Sequence, residues 1–556
     1  MKLNISNISR KAMLAALTAA VLAGTTACDS MLDMEPNGEI SNGQINEESV
    51  DGLMAAAYAG LQAHYFGNNE AFAGPSTNWI FDVRSDDAYK GGGGLGMEAN
   101  IHLLEMSNIQ SDNVSCLNKW QNNYFAISRC NKAITTVSAA QNLSDRENYI
   151  AQLKTLRAYY YFDLIRIFEN IPYFTENDDP NTASPFEFSR DEIFGFIKKD
   201  LAEAYKVLPE SQAAAGAVNR YAAAAIHAKV SAFTSSWSEV VEYADYVIGS
   251  GKYQLYQNYL DMSKIEFNNS YESIFAQQCS TSNDNAQINW SNLLNTTRSD
   301  GELFGNGDDF FLASQNLVNA FRTDANGLPY LDGTFNDVRV TTNYAGNVDP
   351  RLDFTVGRIG MPFRGYTYTM GWCRAYDIYG EYSGKKGLID PDSPDMVQGF
   401  PWGASGLNFN FIRYADILLL KAEALIELGT DLEGARKLIN DVRAKAARSV
   451  DPAYSPVDCN PSIASYKVGQ YPATGWTRDY ARRAVRMERR LELAMEGHRW
   501  FDLVRWGVAV ETMNEYYRSE SEIRSYLAPA SMSADEIYFP IPLAEVQNSG
   551  GLYEKK

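Results

Sequence analysis

The chain has 556 residues, 45% hydrophobic and 21% charged, enough apolar material for a large buried core and too much for a chain disordered as a whole. Its formal charge of −20 repels phosphate backbones and anionic polymers, which argues against nucleic acid as a partner and favours a neutral ligand.

The first segment, "MKLNISNISRKAMLAALTAAVLAGTTAC", sets Lys2, Arg10 and Lys11 before an apolar run from Ala12 to Gly24. This is the layout of an export signal, with a core too short for a comfortable bilayer span. Small residues lead directly into Cys28 and resemble a bacterial lipoprotein cleavage box, although Thr25 sits where Leu is commoner. Residues 1–27 are therefore expected to be a lipoprotein signal peptide, and Cys28 the lipid attachment site. Losing three cations and no acid with the signal takes the mature charge to about −23. Residues 28–44, "CDSMLDMEPNGEISNGQ", are acidic, rich in Pro, Gly and Asn, and read as a flexible tether. No later stretch is apolar for long enough to span a membrane.

Helices dominate the first half of the chain beyond the tether. "SDRENYIAQLKTLRAYYYFDLIRIF" opens with Ser144 and Glu147 at capping-box spacing, and "SRDEIFGFIKKDLAEAYKVLP" does so with Ser189 and Glu192. In the second, Ile193, Phe194, Ile197, Leu201, Ala204, Tyr205 and Leu208 form one apolar stripe, which Pro209 ends. "RYAAAAIHAKVSAFTS" and "WSEVVEYADYVIGSGKY" read as an antiparallel pair closed by a turn at Gly249 and Gly251. Later, "FIRYADILLLKAEALIELG" puts Ile412, Ala415, Leu419, Ala422 and Ile426 on one helix face. "TDLEGARKLINDVRAKAA" comes next, with Ala435, Leu438, Ile439, Val442 and Ala446 on a face and Thr430 and Glu433 as another capping box. The expected fold is mostly α: tetratricopeptide-like helix pairs as scaffold, with an irregular loop-rich lobe containing short strands. Residues 45–556 are read as one domain, with a helical body at 45–255 and 408–515, a loop-rich ligand lobe at 256–407 and a C-terminal segment at 516–556.

Catalytic chemistry has few visible carriers. The four histidines, His64, His102, His227 and His498, show no metal-ligand spacing, and no G-x-S-x-G elbow exists. Neither a metal nor a cofactor is expected. Gly91, Gly93 and Gly96 satisfy G-x-G-x-x-G, but they come after "RSDDAYK", a loop sequence, and read as a glycine loop. Asp86/Asp87 and Asp308/Asp309 are nominal glycosidase pairs, yet "SDDAY" and "GDDF" are ordinary turn sequences. Five cysteines besides Cys28 are odd in number and far apart, so no disulfide is assigned.

Of nine tryptophans, Trp120, Trp237, Trp500 and Trp506 fall in periodic helical segments and read as core. Trp79, Trp290, Trp372, Trp402 and Trp476 fall in irregular, Gly/Asn-rich surroundings. An indole face matches the C–H face of a sugar ring, and neighbouring polar groups can bond its hydroxyls.

In their order, several motifs resemble the SusD/RagB family of outer-membrane nutrient-binding lipoproteins of Bacteroidetes. They are "CDSMLDMEP", "LKTLRAYYYFDLIRIFENIPYF", "SRDEIFGFIKKDLAEAYKVLP", "VDPRLDFTV", "IRYADILLLKAEALIELG", "LINDVRAKA", "ERRLELAMEGHRWFDLVRWG" and "YFPIPLAEV". The resemblance implies a non-enzymatic protein on the outer face of the outer membrane, anchored by its lipid. It implies binding of an oligo- or polysaccharide and its delivery to a SusC-type TonB-dependent barrel, which the protein covers as a lid. A peptide-binding lid of the same fold is the alternative, and a surface glycosidase a more distant one. Asp29, Asp33 and Glu35 resemble the acidic signals that send such lipoproteins to the cell surface. The resemblance transfers no ligand residue. Loop position and chemistry alone select Trp79 with Asp86 and Asp87, and Trp290, Arg364, Trp372 and Tyr376, as glycan contacts.

The densest chemistry lies in "EGHRWFDLVRW" at 496–506. Read as a helix, Glu488, Glu492 and Glu496 recur every four residues and Arg499, Asp502 and Arg505 every three, an ion-pair ladder of structural role.

Overall fold

The computed structural model describes residues 47–62, 73–282, 288–292, 294–298, 303–397, 399–400, 402–451 and 457–555. The signal, Cys28 and the tether lie outside the described residues.

The fold is mostly α. Helices α1 (Glu47–Ala59), α2 (Val114–Ala139), α3 (Arg146–Ile167), α4 (Arg190–Val207), α5 (Arg220–Phe233) and α6 (Trp237–Gly249) come first. From α2 onward each packs on the next, and α1 lies on α2 and α3. Helices α7 (Tyr414–Leu428), α8 (Leu432–Arg448) and α9 (Arg478–Leu493) continue the stack, because α7 packs on α6, despite the long stretch of chain between them, and on α8 and α9. Two shorter helices come after the stack, α10 (Arg499–Arg505) and α11 (Ala509–Glu520). Helix α3 is buried nearly all round, from Tyr159 through Ile167 without an exposed residue, so it forms the centre of the stack. Each large side chain fully buried there contributes about 1.5–3 kcal/mol.

Helix starts obey local chemistry, with two changes from the sequence reading. Ser189 and Glu192 form the reciprocal box at α4, Ser189 Oγ accepting from Glu192 N–H and Glu192 Oε2 from Ser189 N–H. At α3 the cap position is Asp145 rather than Ser144, and its side chain makes no capping bond. At α8 the cap is Asp431 rather than Thr430, accepting from Gly434 N–H at 2.7 Å. Gly429, at φ +71°, ends α7 just before it, which leaves Thr430 inside the turn. Ile412 belongs not to α7 but to the strand that precedes it.

Between α6 and α7 the chain makes short strands, single helical turns and loops. Strand β1 (Ala88–Gly91), from the N-terminal part, pairs antiparallel with β3 (Phe310–Ala313), Gly91 lying opposite Phe310. Strand β2 (Ser273–Gln277) pairs antiparallel with β4 (Phe409–Arg413), the strand that holds Ile412, and closes this region at its base. "RSDDAYK" is thus a strand entry rather than a plain loop. The glycine loop does come after a strand, but an antiparallel one outside any β–α–β unit.

The segment 486–506 is not one helix. Helix α9 ends at Leu493; Met495 at φ +61° and Gly497 at φ +80° turn the chain, and α10 starts at Arg499. Asp82 caps α10 from another part of the chain, accepting from Gly497 N–H at 2.6 Å and Arg499 N–H at 3.0 Å. Apart from Asp502 and Arg505, which pair three residues apart within α10, the acids and arginines therefore pair across segments and not along a ladder. Buried Glu492 accepts from Arg351, Arg413 and Lys445, and Glu488 from Arg351 and Arg443. Asp416 accepts from Lys229 and Arg489, and Asp502 from Arg489 and Arg505. This network ties α5, α7, α8, α9 and α10 to the base of the loop region.

Candidate functional site

Six of the seven residues selected from the sequence lie inside the protein. Asp86 is held by Arg499 at 2.8 and 2.9 Å and by Arg490 at 3.0 Å, and Asp87 by Arg490 at 2.7 Å. Burial pushes the Asp86 carboxyl up, but the two arginines outweigh it and hold it at about 2. Burial and the neighbouring Asp86 charge leave Asp87 above its ordinary value. Arg364 spends its donors on Asp458, Ser263 and the carbonyls of Lys385 and Leu388. Trp372 packs among Phe363, Tyr368 and Phe304, and Trp290 belongs to the main core. Trp79 lies 5.3 Å from Phe311 and walls a small cavity of about 80 Å³. Only Tyr376, 39% exposed, reaches solvent. Apolar rings and paired charges are consumed by packing, which composition alone could not reveal.

Two open clefts offer poor recognition chemistry. One of about 840 Å³ lies between α9, α11 and residues 331–336, but three of its five arginines, Arg490, Arg499 and Arg518, are paired with acids. Its Trp506 ring is covered by Arg486 at 4.9 Å and Arg505 at 5.0 Å. The other, of about 600 Å³, is lined by Glu266, Asp390, Asp392 and Asp395 and by no aromatic ring. Among the described residues no group of acids, histidines or cysteines is arranged to hold a metal, and the five described cysteines carry no disulfide. His498 meets Lys229 Nζ at 3.3 Å, and burial beside that cation pushes its imidazole down to about 3, so it is a neutral packing group at physiological pH.

A different surface has the required parts. The β1–β3 pairing brings the glycine loop beside residues 305–309, with Gly92 N–H donating to Asp309 O at 2.7 Å. Arg374 N–H donates to Asp309 Oδ2 at 2.9 Å, and Arg374 Nη1 to Asp308 Oδ1 at 2.6 Å. The Arg374–Asp308 pair is only partly covered, its side chains 24% and 22% exposed. Burial pushes the Asp309 carboxyl up to about 7, against the pull of the Arg374 N–H and charge. Asp309 N–H donates to Thr296 O and Thr296 Oγ1 to Trp402 O, joining residues 402–403 to the same cluster. The Trp402 indole lies on Gly305, where a Cβ would fall 2.5 Å from ring atom Cε3 and φ is +78°; only glycine permits that approach. Phe400 stands edge-on to Trp402 at 6.0 Å. Phe400, Met370 and Tyr376 are 45%, 58% and 39% exposed. The loops joined by these bonds thus carry exposed or partly exposed aromatic rings and a partly exposed arginine–aspartate pair.

Comparison with known proteins places this geometry. A family model described as the SusD family matches residues 271–556, more than half of the chain. The chain belongs to the SusD family. A second model, described as "Starch-binding associating with outer membrane", matches residues 40–232. A SusD-like protein, P38, of Formosa agariphila is 25% identical over 88% of this chain and 90% of its own length. Among solved structures, a SusD-like protein from Bacteroides fragilis covers 92% of this chain and 97% of its own at TM-score 0.71 and 20% identity. Surface glycan-binding protein A from Bacteroides thetaiotaomicron, solved in complex with laminarihexaose, covers 91% and 98% at TM-score 0.67 and 21% identity. At these identities the solved structures establish a shared fold. No helix among the described residues of this SusD-family chain is long and apolar enough to cross a membrane.

Sequence reasoning named Trp402 as a loop tryptophan and Asp308 only as half of a nominal catalytic pair; it missed Arg374. The usable signal was proximity, since Arg374 is two residues from both Trp372 and Tyr376. What could not be read was which of the neighbouring side chains turn outward.

Proposed function

We propose that this SusD-family chain is a non-catalytic cell-surface glycan-binding protein that takes up an oligo- or polysaccharide at the Tyr376–Arg374–Asp308–Trp402 surface. It delivers the ligand to a SusC-type TonB-dependent barrel, over which it acts as a lid, anchored through lipid on Cys28. The observation that carries this reading is the contrast in satisfaction. The charges of the interior network are paired, whereas this loop surface leaves an arginine edge and three aromatic rings partly open, the chemistry a neutral sugar needs. The laminarihexaose complex of a structural neighbour supports the ligand class. A weak site suffices, because tethering at a barrel mouth raises the effective concentration. Tyr376 contacts the ligand directly; the six buried residues hold the loops in place.

Calorimetry of the chain beginning at residue 45 against neutral polysaccharides, acidic polysaccharides and peptides tests this. Heat with a neutral polysaccharide and none with peptides is expected. Tight peptide binding without any glycan response would overturn the ligand class, and reducing-sugar release would overturn the absence of catalysis. Co-purification of a barrel with the full chain, lost from the membrane fraction on Cys28→Ala, is expected for the lid and its anchor.

A further inference from the structure

Arg374 uses only part of its guanidinium. Nη1 donates to Asp308 Oδ1 at 2.6 Å and to Asp308 O at 3.2 Å, while Nε and Nη2 have no hydrogen-bond partner among the described residues. Gly93 packs over the guanidinium: a Cβ built there would sit 3.2 Å from Nε, 3.4 Å from Cζ and 3.4 Å from Nη2. Gly93 is exposed, and its φ lies outside the left-handed region, so the backbone does not require glycine. What the missing side chain does is spare the guanidinium, 24% exposed, a contact crowding its face. Asp308 Oδ2 likewise has no partner among the described residues. The neighbouring Gly94 lies against Ile378, its built Cβ 3.8 Å from Cδ1, which fixes the loop beside the Tyr376 turn.

We infer that the unused Nε and Nη2 donors of the partly exposed Arg374, together with Asp308 Oδ2, read two adjacent ring hydroxyls, so the site selects neutral sugars whose linkage leaves a vicinal diol free. The inference deepens the proposed glycan binding and rests on it. The two N–H donors of the edge are parallel and close, a spacing that suits two oxygens on neighbouring atoms. Oxygens separated by a further ring carbon are too far apart to engage both. Asp308 neutralises the guanidinium, so a carboxylated sugar meets no net cation, and its free oxygen accepts a hydroxyl proton that a carboxylate ligand does not carry. A 1,4-linked hexopyranose exposes O2 and O3 along its whole length and fits. A 1,3-linked one exposes no adjacent pair within the chain.

The test uses the wild-type chain and two defined neutral glycans in calorimetry, a 1,4-linked glucan and a 1,3-linked glucan. The 1,4-linked glucan is also measured after periodate cleavage of its diols and borohydride reduction. The expected result is binding of the 1,4-linked glucan about tenfold or more tighter than of the 1,3-linked one, and loss of binding after periodate. Arg374→Lys, which keeps the charge but removes the fork, is expected to erase the preference at unchanged melting temperature, and Gly93→Ala, which presses on the guanidinium face and shifts the fork without straining the backbone, to weaken it. Equal affinity for the two linkages, or binding that survives periodate, overturns the inference while leaving glycan binding intact. Absence of binding to either glucan by the wild-type chain overturns it as well, and peptide binding in the same cell would then overturn the glycan reading on which it rests.

Discussion

Two regions of this protein concentrate arginine and carboxylate, and they differ in what the charges have left over. Around 486–506, Glu492 accepts from three cations and Asp416, Asp502 and Glu488 from two each, all in the interior. Around 305–309 and 370–378, one arginine and one aspartate meet through a single nitrogen and sit about a quarter exposed. The denser region has spent most of its bonding capacity on itself. The sparser one still has donors and acceptors to offer, which is what recognition requires.

The largest expected effects come from breaking the interior. Glu492→Gln leaves Arg351, Arg413 and Lys445 short of a counter-charge and is expected to cost about 3–5 kcal/mol in denaturant unfolding, with the glycan affinity of the folded fraction unchanged. Trp372→Ala removes an indole packed against Phe363 and Tyr368 and is expected to cost a similar ~3–5 kcal/mol. A Trp372→Ala protein of wild-type stability that has lost its ligand would mean the ring faces the ligand after all.

Next comes the open surface. Tyr376→Ala and Trp402→Ala are expected to weaken polysaccharide binding by about tenfold each, a stacking loss of order 1.4 kcal/mol. For exposed Tyr376 the melting temperature is expected to stay close to wild type.

pH separates the regions by sign. Asp86, Glu492 and Asp502 are held at about 2 by their cations against burial. Their stabilisation is present above the ordinary carboxylate range and is lost as pH falls from about 4 through about 2. Asp309 is raised to about 7 by burial. Its contribution runs the other way, present below its ordinary value of 3.8 and lost as pH rises towards 7. Asp309→Asn is therefore expected to raise the melting temperature at pH 8 and leave it unchanged at pH 3, by thermal scans at both.

Much of the scaffold was legible because helix period and capping are local. The α4 box at Ser189 and Glu192 and the small-residue faces of α7 and α8 come from sequence spacing alone. Errors were also local: Asp145 and Asp431 displaced Ser144 and Thr430 by one residue as caps, and left-handed Met495 and Gly497 split a segment that reads as a continuous helix. The binding surface was poorly legible because exposure is a long-range property. Trp372 and Tyr376 lie four residues apart in the same turn-rich stretch, yet one is core and the other surface. Arg364 and Arg374 are both loop arginines, and Asp458, a distant partner absent from any local pattern, decides that the first is spent.

The central claim, that ligand chemistry resides in the unsatisfied loop surface and not in the dense buried network, is tested most directly by one calorimetric comparison. Wild type and the Tyr376→Ala/Trp402→Ala double variant are titrated with the neutral polysaccharide that wild type binds. Loss of the heat signal with a retained cooperative unfolding transition is the predicted result. Wild-type affinity in the double variant would contradict the account and move the site elsewhere on the protein.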